Sequence, residues 1–150
     1  MRLPLTLLRR RLAGSWDLAA VREVLARSPL ELEGVELHAP GMDRVLTGRI
    51  IEAAAHPDAD RLRVCAVDAG MHGVLQIVTA ATNVQSGDIV PVALDGAVLP
   101  TGKAILASKM RGVMSQGMFC SLEELALGDA LEGVWVLPAT TPLGLPIAEA

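Results

Sequence analysis

The chain has no tyrosine, one phenylalanine (Phe119) and two tryptophans (Trp16 and Trp135). That scarcity argues against binding single strands by stacking bases, since the ring platforms are missing. Val, Leu, Ile and Ala must fill the interior instead, which close packing allows. With 51% apolar and 20% charged residues, a real core is within reach. Cysteine is scarce too. Cys65 and Cys120 lie far apart and match no metal spacing, and His38, His56 and His72 are scattered, so a zinc site is not expected. Free thiols in a reducing compartment are the default, with a disulfide left open. A positive excess is also missing. The formal net charge is −4, so the domain-wide basic field typical of nucleic-acid binding is absent, and any such function must use local patches. No run approaches the roughly 20 apolar residues of a membrane helix. Arg9, Arg10 and Arg11 cut the opening apolar run after Leu8, unlike a secretory signal. No membrane partner is expected, and the protein should be soluble and cytoplasmic. Gly-x-Gly-x-x-Gly, Walker and nucleophile-elbow motifs are all lacking.

What is present is a chain of 150 residues, long enough for one ordinary domain or one with a small appendage. Residues 1–12 begin extended, with Pro4 free to open a helical turn. Ser15 or Asp17 can cap a helix running through Arg27, where Leu18, Val21 and Leu25 follow helical spacing, and Ser28-Pro29 stops it. Leu30, Leu32 and either Gly34 or Val35 then alternate with Glu31, Glu33 and Glu36, a half-buried strand pattern. After the Ala39-Pro40-Gly41 turn the texture becomes short strands, expected at Val45–Ala54, Leu62–Asp68, Val74–Ala80, Ile89–Leu94 and Ala104–Arg111, with a last one at Val134–Leu137. In the second of these, Leu62 and Val64 share parity and Val67 breaks it, which hints at a bulge. Ser121-Leu122-Glu123-Glu124 spells a capping box and predicts a short helix to Leu127. The expected fold is mainly β: a closed five-stranded OB-type barrel over residues 41–137, plus a small α/β unit made from 1–40 with 138–150 returning to it.

Three blocks invite chemistry. His56-Pro57-Asp58-Ala59-Asp60 sets a histidine beside two carboxylates, but a general base also needs a nucleophile, an orienting group and a cleft. Turn formation is the plainer role for Asp58 and Asp60. Arg61 and Arg63 come next, either extending a cationic surface or merely solvated. Asn83, after the third strand, suits an Asx-turn or a contact to sugar or phosphate. Lys103–Ser121 holds Lys103, Lys109 and Arg111 and stands in a window without acids between Asp95 and Glu123. With Gly112, Gly117, Ser115, Gln116 and Ser121 it suits an anionic, hydrogen-bonding partner. An ordinary strand, glycine turn and helix cap with solvated lysines is the plain alternative.

In this order and spacing, HPDADRLRVC, QIVTAATNV, GDIVPVALDGAVLP and SKMRGVMSQGMFCS resemble the tRNA-binding OB domain at the front of bacterial phenylalanyl-tRNA synthetase β chains. MRLPLTLLRR, LELEGVE and the VLPATTPLGLPIAEA tail resemble that chain's N-terminal region, so the likeness covers essentially the whole sequence. Where many relatives read V-C-G-A-x-N, this chain has Val78 to Asn83 with Ala80 in place of a glycine. The resemblance implies a non-catalytic auxiliary tRNA-binding module. Its expected partners are tRNA, the remainder of the β chain and the α chain, and no DNA. No cofactor is implied for this segment, since ATP and Mg²⁺ belong to the parent ligase. Carried over by position, the tRNA-binding residues are Lys109, Arg111, Ser115 and Gln116, with Asn83 and Lys103 nearby; Met118 is expected to pack the barrel. The rival expectation is an assembly module whose barrel face meets protein, or a free-standing tRNA-binding protein. A hydrolase built on His56 and Asp58 is a third.

Overall fold

The computed structural model describes residues 17–29, 33–34, 42–128 and 133–148. Expectations for residues 1–12, and most of the strand expected from Leu30, lie outside the described residues. The chain divides into two compact units, 1–37 and 38–150. In the first, helix α1 (Leu18–Ala26) starts where Asp17 accepts a 2.7 Å hydrogen bond from the Ala20 N–H, the N-cap that the sequence offers. An exposed Arg27–Glu23 pair lies along its last turn.

The second unit is mainly β. Its strands are β1 (Val45–His56), β2 (Ala59–Asp68), β3 (Val74–Thr79), β4 (Ile89–Leu94), β5 (Ser108–Met110), β6 (Val113–Ser115) and β7 (Gly117–Phe119). Five form an antiparallel sheet in the order β3-β2-β1-β4-β7, and β5 and β6 form a separate hairpin. β1 holds the sheet together because it is long enough to serve two partners. Val45–Arg49 pair with β4, and Arg49–His56 pair with β2. The bend between those duties is a bulge between Ile50 and Glu52. The parity break expected between Val64 and Val67 faces that extra residue of β1, and β2 has an irregularity of its own between Ala59 and Arg63, opposite the Ala55–His56 step. From Arg63 to Asp68, β2 pairs with β3 in unbroken register.

Two clusters make the core. Ile50, Cys65, Val67, Ile77, Val90, Val92 and Phe119 form one, and Met42, Val45, Ile89, Ala93, Leu99 and Cys120 anchor the other. β4 feeds both, so its first five residues are all buried, as a strand covered on two faces must be. Pro91 is tolerated inside it because neither neighbour needs an N–H there: the Cys120 carbonyl beside it accepts from Trp135 N–H, and its partner on β1, Thr47, turns its backbone groups away. The Thr47 N–H donates to the Leu145 carbonyl and its C=O accepts from the Gly144 N–H. Those bonds, with Ile147 N–H to Val45 O, lay the described tail along β1.

Three sequence expectations are corrected. The strand expected over Ala104–Arg111 shrinks to β5, and β6 and β7 take up the residues after it. Ser121 and Glu124 do make the reciprocal bonds of a capping box (Glu124 N–H to Ser121 Oγ 3.2 Å, Ser121 N–H to Glu124 Oε2 3.0 Å). The box opens onto a run of turns, with Ala126 at φ 53°, and not onto a helix. Val134–Leu137 contributes only an isolated bridge to Ile89.

The backbone ladder also does not close into a barrel. Its edge strands, β3 and β7, are bridged at the 115–116 step that leads into β7, by two side chains and one main-chain bond. The Gln116 N–H donates to the Gln76 carbonyl, the Gln76 N–H donates to Gln116 Oε1, and the Val78 N–H donates to Ser115 Oγ, at 2.8, 2.8 and 3.0 Å. Gly117 makes the approach possible, since a methyl there would overlap the Ala93 carbonyl oxygen and press on Ile77. Gly117→Ala should therefore lower stability by about 2–3 kcal/mol, read as a shift in the urea midpoint. An unchanged midpoint would mean that β7 can move away from β4 freely.

Burial, reinforced by Glu124, pushes the Cys120 thiol up from 9.0 to about 12, and burial also raises Cys65 against the pull of Arg63. A raised folded-state value favours the neutral thiol. The Cys120 contribution is full below pH 9.0 and is lost as pH climbs towards about 12. Denaturant titrations across that range should show stability falling, and falling less steeply in Cys120→Ala.

Candidate nucleic-acid interface

The site is built on the β5–β6 hairpin. Met110 pairs with Val113, which leaves Arg111-Gly112 as a two-residue loop. Both have positive φ, 51° and 85°, the pattern of the primed turns whose twist matches a hairpin. Glycine accepts this conformation without penalty, whereas arginine is strained in it by roughly 1–2 kcal/mol. The strained residue is a cation at the tip. Lys109 and Arg111 are both exposed, and neither has a hydrogen-bond or ion-pair partner among the described residues. Arg61 near the start of β2 and Arg49 in β1 are likewise exposed and without a described side-chain partner.

The hairpin is fastened at two places. On the β6 side, Gln76 Nε2 donates to the Met114 carbonyl at 2.7 Å, beside the Ser115 and Gln116 bonds to β3. On the β5 side, the His56 imidazole lies 2.9 Å from the Met110 carbonyl and 3.0 Å from the Asp58 backbone nitrogen. The hairpin tip and the Pro57-Asp58 turn between β1 and β2 are thus neighbours. Next to Gln116, the face of β1, β2 and β3 forms an open cleft of about 330 Å³ lined by Glu52, Ala54, Val64, Ala66, Gln76 and Gln116 among others. It contains no ring and one carboxylate, so it is suited neither to base stacking nor to holding phosphate.

The six residues expected from sequence separate into distinct roles. Lys109, Arg111 and Gln116 come together on or beside the hairpin and are exposed. Gln116 spends its Oε1 on β3, leaving its amide NH₂ without a described partner. Ser115 is placed elsewhere. It is 3% exposed, accepting from the Val78 N–H and donating to the Gly117 carbonyl at 2.8 Å, so its hydroxyl is consumed inside the fold. Asn83 is also occupied. Its Nδ2 donates to the Val134 carbonyl at 2.8 Å and its Oδ1 accepts from the Val134 N–H at 3.1 Å, as a strand partner would. Lys103 pairs with Glu124 at 3.4 Å and touches Met118 Sδ. The window free of acids along the chain is therefore not free of them in space. Met118 is half-buried against the core, and Gly117 opens room for a strand and not for a ligand. Arg63, whose Nη1 donates to the Val84 carbonyl at 2.6 Å, closes off a surface role that the sequence left open. Among the described residues no three His, Cys, Asp or Glu side chains converge to hold a metal ion, and no described helix is long and apolar enough to cross a membrane.

The fold defines a class: a mainly β module whose five-stranded antiparallel sheet agrees with an OB-like barrel, carrying a cationic hairpin at its rim. Residues 45–146 match the family model described as "Putative tRNA binding domain", and the chain belongs to this tRNA-binding domain family. Over 132 residues it is 48% identical to the phenylalanine–tRNA ligase beta subunit of Burkholderia pseudomallei (strain 1710b), a match covering 84% of this chain and 16% of that protein. It is 44% identical over 133 residues to the same subunit of Methylococcus capsulatus, covering 89% and 17% respectively. The chain thus spans 16–17% of the length of these curated relatives. Among solved structures, a MetRS-related protein from Pyrococcus horikoshii shares the fold with a TM-score of 0.52 at 20% identity, over 69% of this chain and 87% of that one.

The internal bonds of Ser115 make a prediction about stability. Ser115→Ala leaves the buried Val78 N–H without an acceptor and should cost about 1–3 kcal/mol. Thermal unfolding should show the loss, while tRNA affinity per folded molecule stays at the wild-type value. A fall in affinity without a fall in stability would make Ser115 an RNA contact after all.

Proposed function

We propose that this chain is a non-catalytic, auxiliary tRNA-binding module of a phenylalanine–tRNA ligase beta subunit, working in the cytoplasm beside the rest of that subunit and its α partner. Lys109 and Arg111 neutralise backbone phosphates, and the free amide NH₂ of Gln116 hydrogen-bonds backbone or an unpaired base. Arg61 extends the cationic rim. The carrying observation is the hairpin itself: two unpartnered cations at the end of a doubly fastened two-residue turn, in a chain of the tRNA-binding family. Ser115 fastens the hairpin to β3, Asn83 is taken up by Val134 and Lys103 by Glu124, and none of the three is assigned to tRNA.

A second reading has its own observation. Met71 is 90% exposed, Leu106 70% and Val74 63%, so the sheet unit presents large apolar side chains to its surroundings. In proteins as long as the curated relatives, such residues can meet other domains. Sedimentation without RNA separates the two, since a tight self-associating species indifferent to tRNA would favour assembly.

The direct test is a tRNA titration over a salt series with the wild type and Lys109→Glu/Arg111→Glu. Losing two phosphate contacts should flatten the salt dependence by about one to two units of slope, with the affinity gap widest at low salt. Equal binding and equal slopes in both proteins would remove the site.

A further inference from the structure

We propose that His56 is the positioning residue of the cationic hairpin, its neutral imidazole with hydrogen on Nε2 latching β5 to the β1–β2 turn. The inference rests on the hairpin being the element that meets tRNA. The tautomer follows from the two contacts. A backbone N–H can only donate, so His56 Nδ1, 3.0 Å from the Asp58 nitrogen, is the acceptor. A neutral ring then carries its hydrogen on Nε2, which faces the Met110 carbonyl at 2.9 Å, a group that can only accept. Both partners demand the same form, and the side chain making the bonds is 5% exposed.

The latch matters because of where it grips. β6 is tied to β3 by Ser115, Gln116 and Gln76, but all three residues of β5 are exposed. Apart from its ladder to β6, β5 has one described hydrogen bond to the rest of the sheet, from His56 to the Met110 carbonyl. Met110 immediately precedes Arg111 and comes directly after Lys109. Fixing that carbonyl fixes the strand end from which both cations project, so less ordering is left to be done when an anionic partner arrives.

The choice of histidine has a physical reason. An Asn or Asp side chain before Pro57 would accept the hydrogen bond from residue 58 and form an ordinary Asx-turn. Histidine does the same through Nδ1, and its ring carries a second nitrogen outward to a strand 54 residues away. A shorter side chain closes the turn and leaves the Met110 end of β5 without its bond to the sheet.

That difference supplies the experiment. His56→Asn keeps the turn acceptor and loses the latch, whereas His56→Gln keeps a donor with the reach of Nε2. All are measured in the full 150-residue chain. In the wild type, nitrogen-15 NMR should find the Nε2–H tautomer, and amide exchange at residues 108–112 should be slower than in His56→Asn. In tRNA titrations over a salt series, His56→Asn should bind about three- to tenfold more weakly and with a slope shallower by about one, with His56→Gln near wild type. An Nδ1–H tautomer in the wild type overturns the latch, and this does not depend on any variant folding. So does a wild-type affinity and slope in His56→Asn, and so does equal loss in both variants. If Lys109→Glu/Arg111→Glu binds like the wild type, the hairpin is not the tRNA-contacting element, and the proposal falls with that reading even where the tautomer is as expected.

Discussion

An open sheet has to settle its last edge, and here that edge belongs to β3. On one side β3 has the β2 ladder. On the other, its N–H and C=O groups meet two side chains and one amide from the 115–116 step: Ser115 Oγ, Gln116 Oε1 and the Gln116 N–H. Leaving such a group buried and unpaired costs about 1–3 kcal/mol, so the pairing fixes one register. A slip by one residue would set Met114 where Ser115 stands and replace a hydroxyl by a thioether, a weak acceptor. It would also move residue 117, the place where β7 touches the Ala93 carbonyl, to a side chain with a Cβ. The position of the hairpin, and of the cations at its tip, follows from that register. An edge covered in this way is also closed to further strands, the usual hazard of unpaired edges.

The strained tip is consistent with that rigidity. A non-glycine residue at positive φ persists only where its surroundings over-determine it, and the Arg111-Gly112 loop is held by a ladder on one side and by Met110 and Met114 carbonyl contacts on both arms. An asparagine or glycine would fit position 111 with less strain. The arginine is therefore better explained by what its charge does than by what its backbone prefers. Elsewhere in the unit, cations held by the fold are spent on carbonyls, Arg63 on Val84 and Arg44 on Asp95.

Strand existence is legible in the sequence because it rests on local pattern. The Val and Ile runs at 45–50, 74–79 and 89–94, the Asp17 cap and the capping-box bonds of Ser121 and Glu124 all belong to short windows of sequence. The site is only half legible, for a different reason. Ser115, Gln116 and Asn83 are polar residues near glycines, and local reasoning cannot tell a hydrogen bond offered to a ligand from one absorbed by a strand across the sheet. Lys103 reads as a free cation until the fold brings Glu124, 21 residues on, to its side. The parity break at Val64 and Val67 faces an extra residue in β1, because parity reports a mismatch between two strands without saying which one carries it. His56-Pro57-Asp58 reads as a turn, which it is. The second nitrogen of the ring has no signal in the sequence, because its partner is set by topology.

Charge decides what such a module can contribute. The chain carries a net −4, and its exposed hairpin offers two cations, with Arg61 exposed at the start of β2. Two or three phosphate contacts give weak binding that salt erodes quickly, and an acidic body slows rather than steers the approach of RNA. Affinity is therefore the wrong quantity for this surface to optimise by itself. Within a longer chain, of which the matched region is 16–17% in the relatives, the same contacts would act at the effective concentration set by the rest of the protein. On the proposed function, a weak but rigidly oriented pair of cations would select how the RNA lies without making its release slow, with the fastening of the hairpin at both arms supplying the orientation.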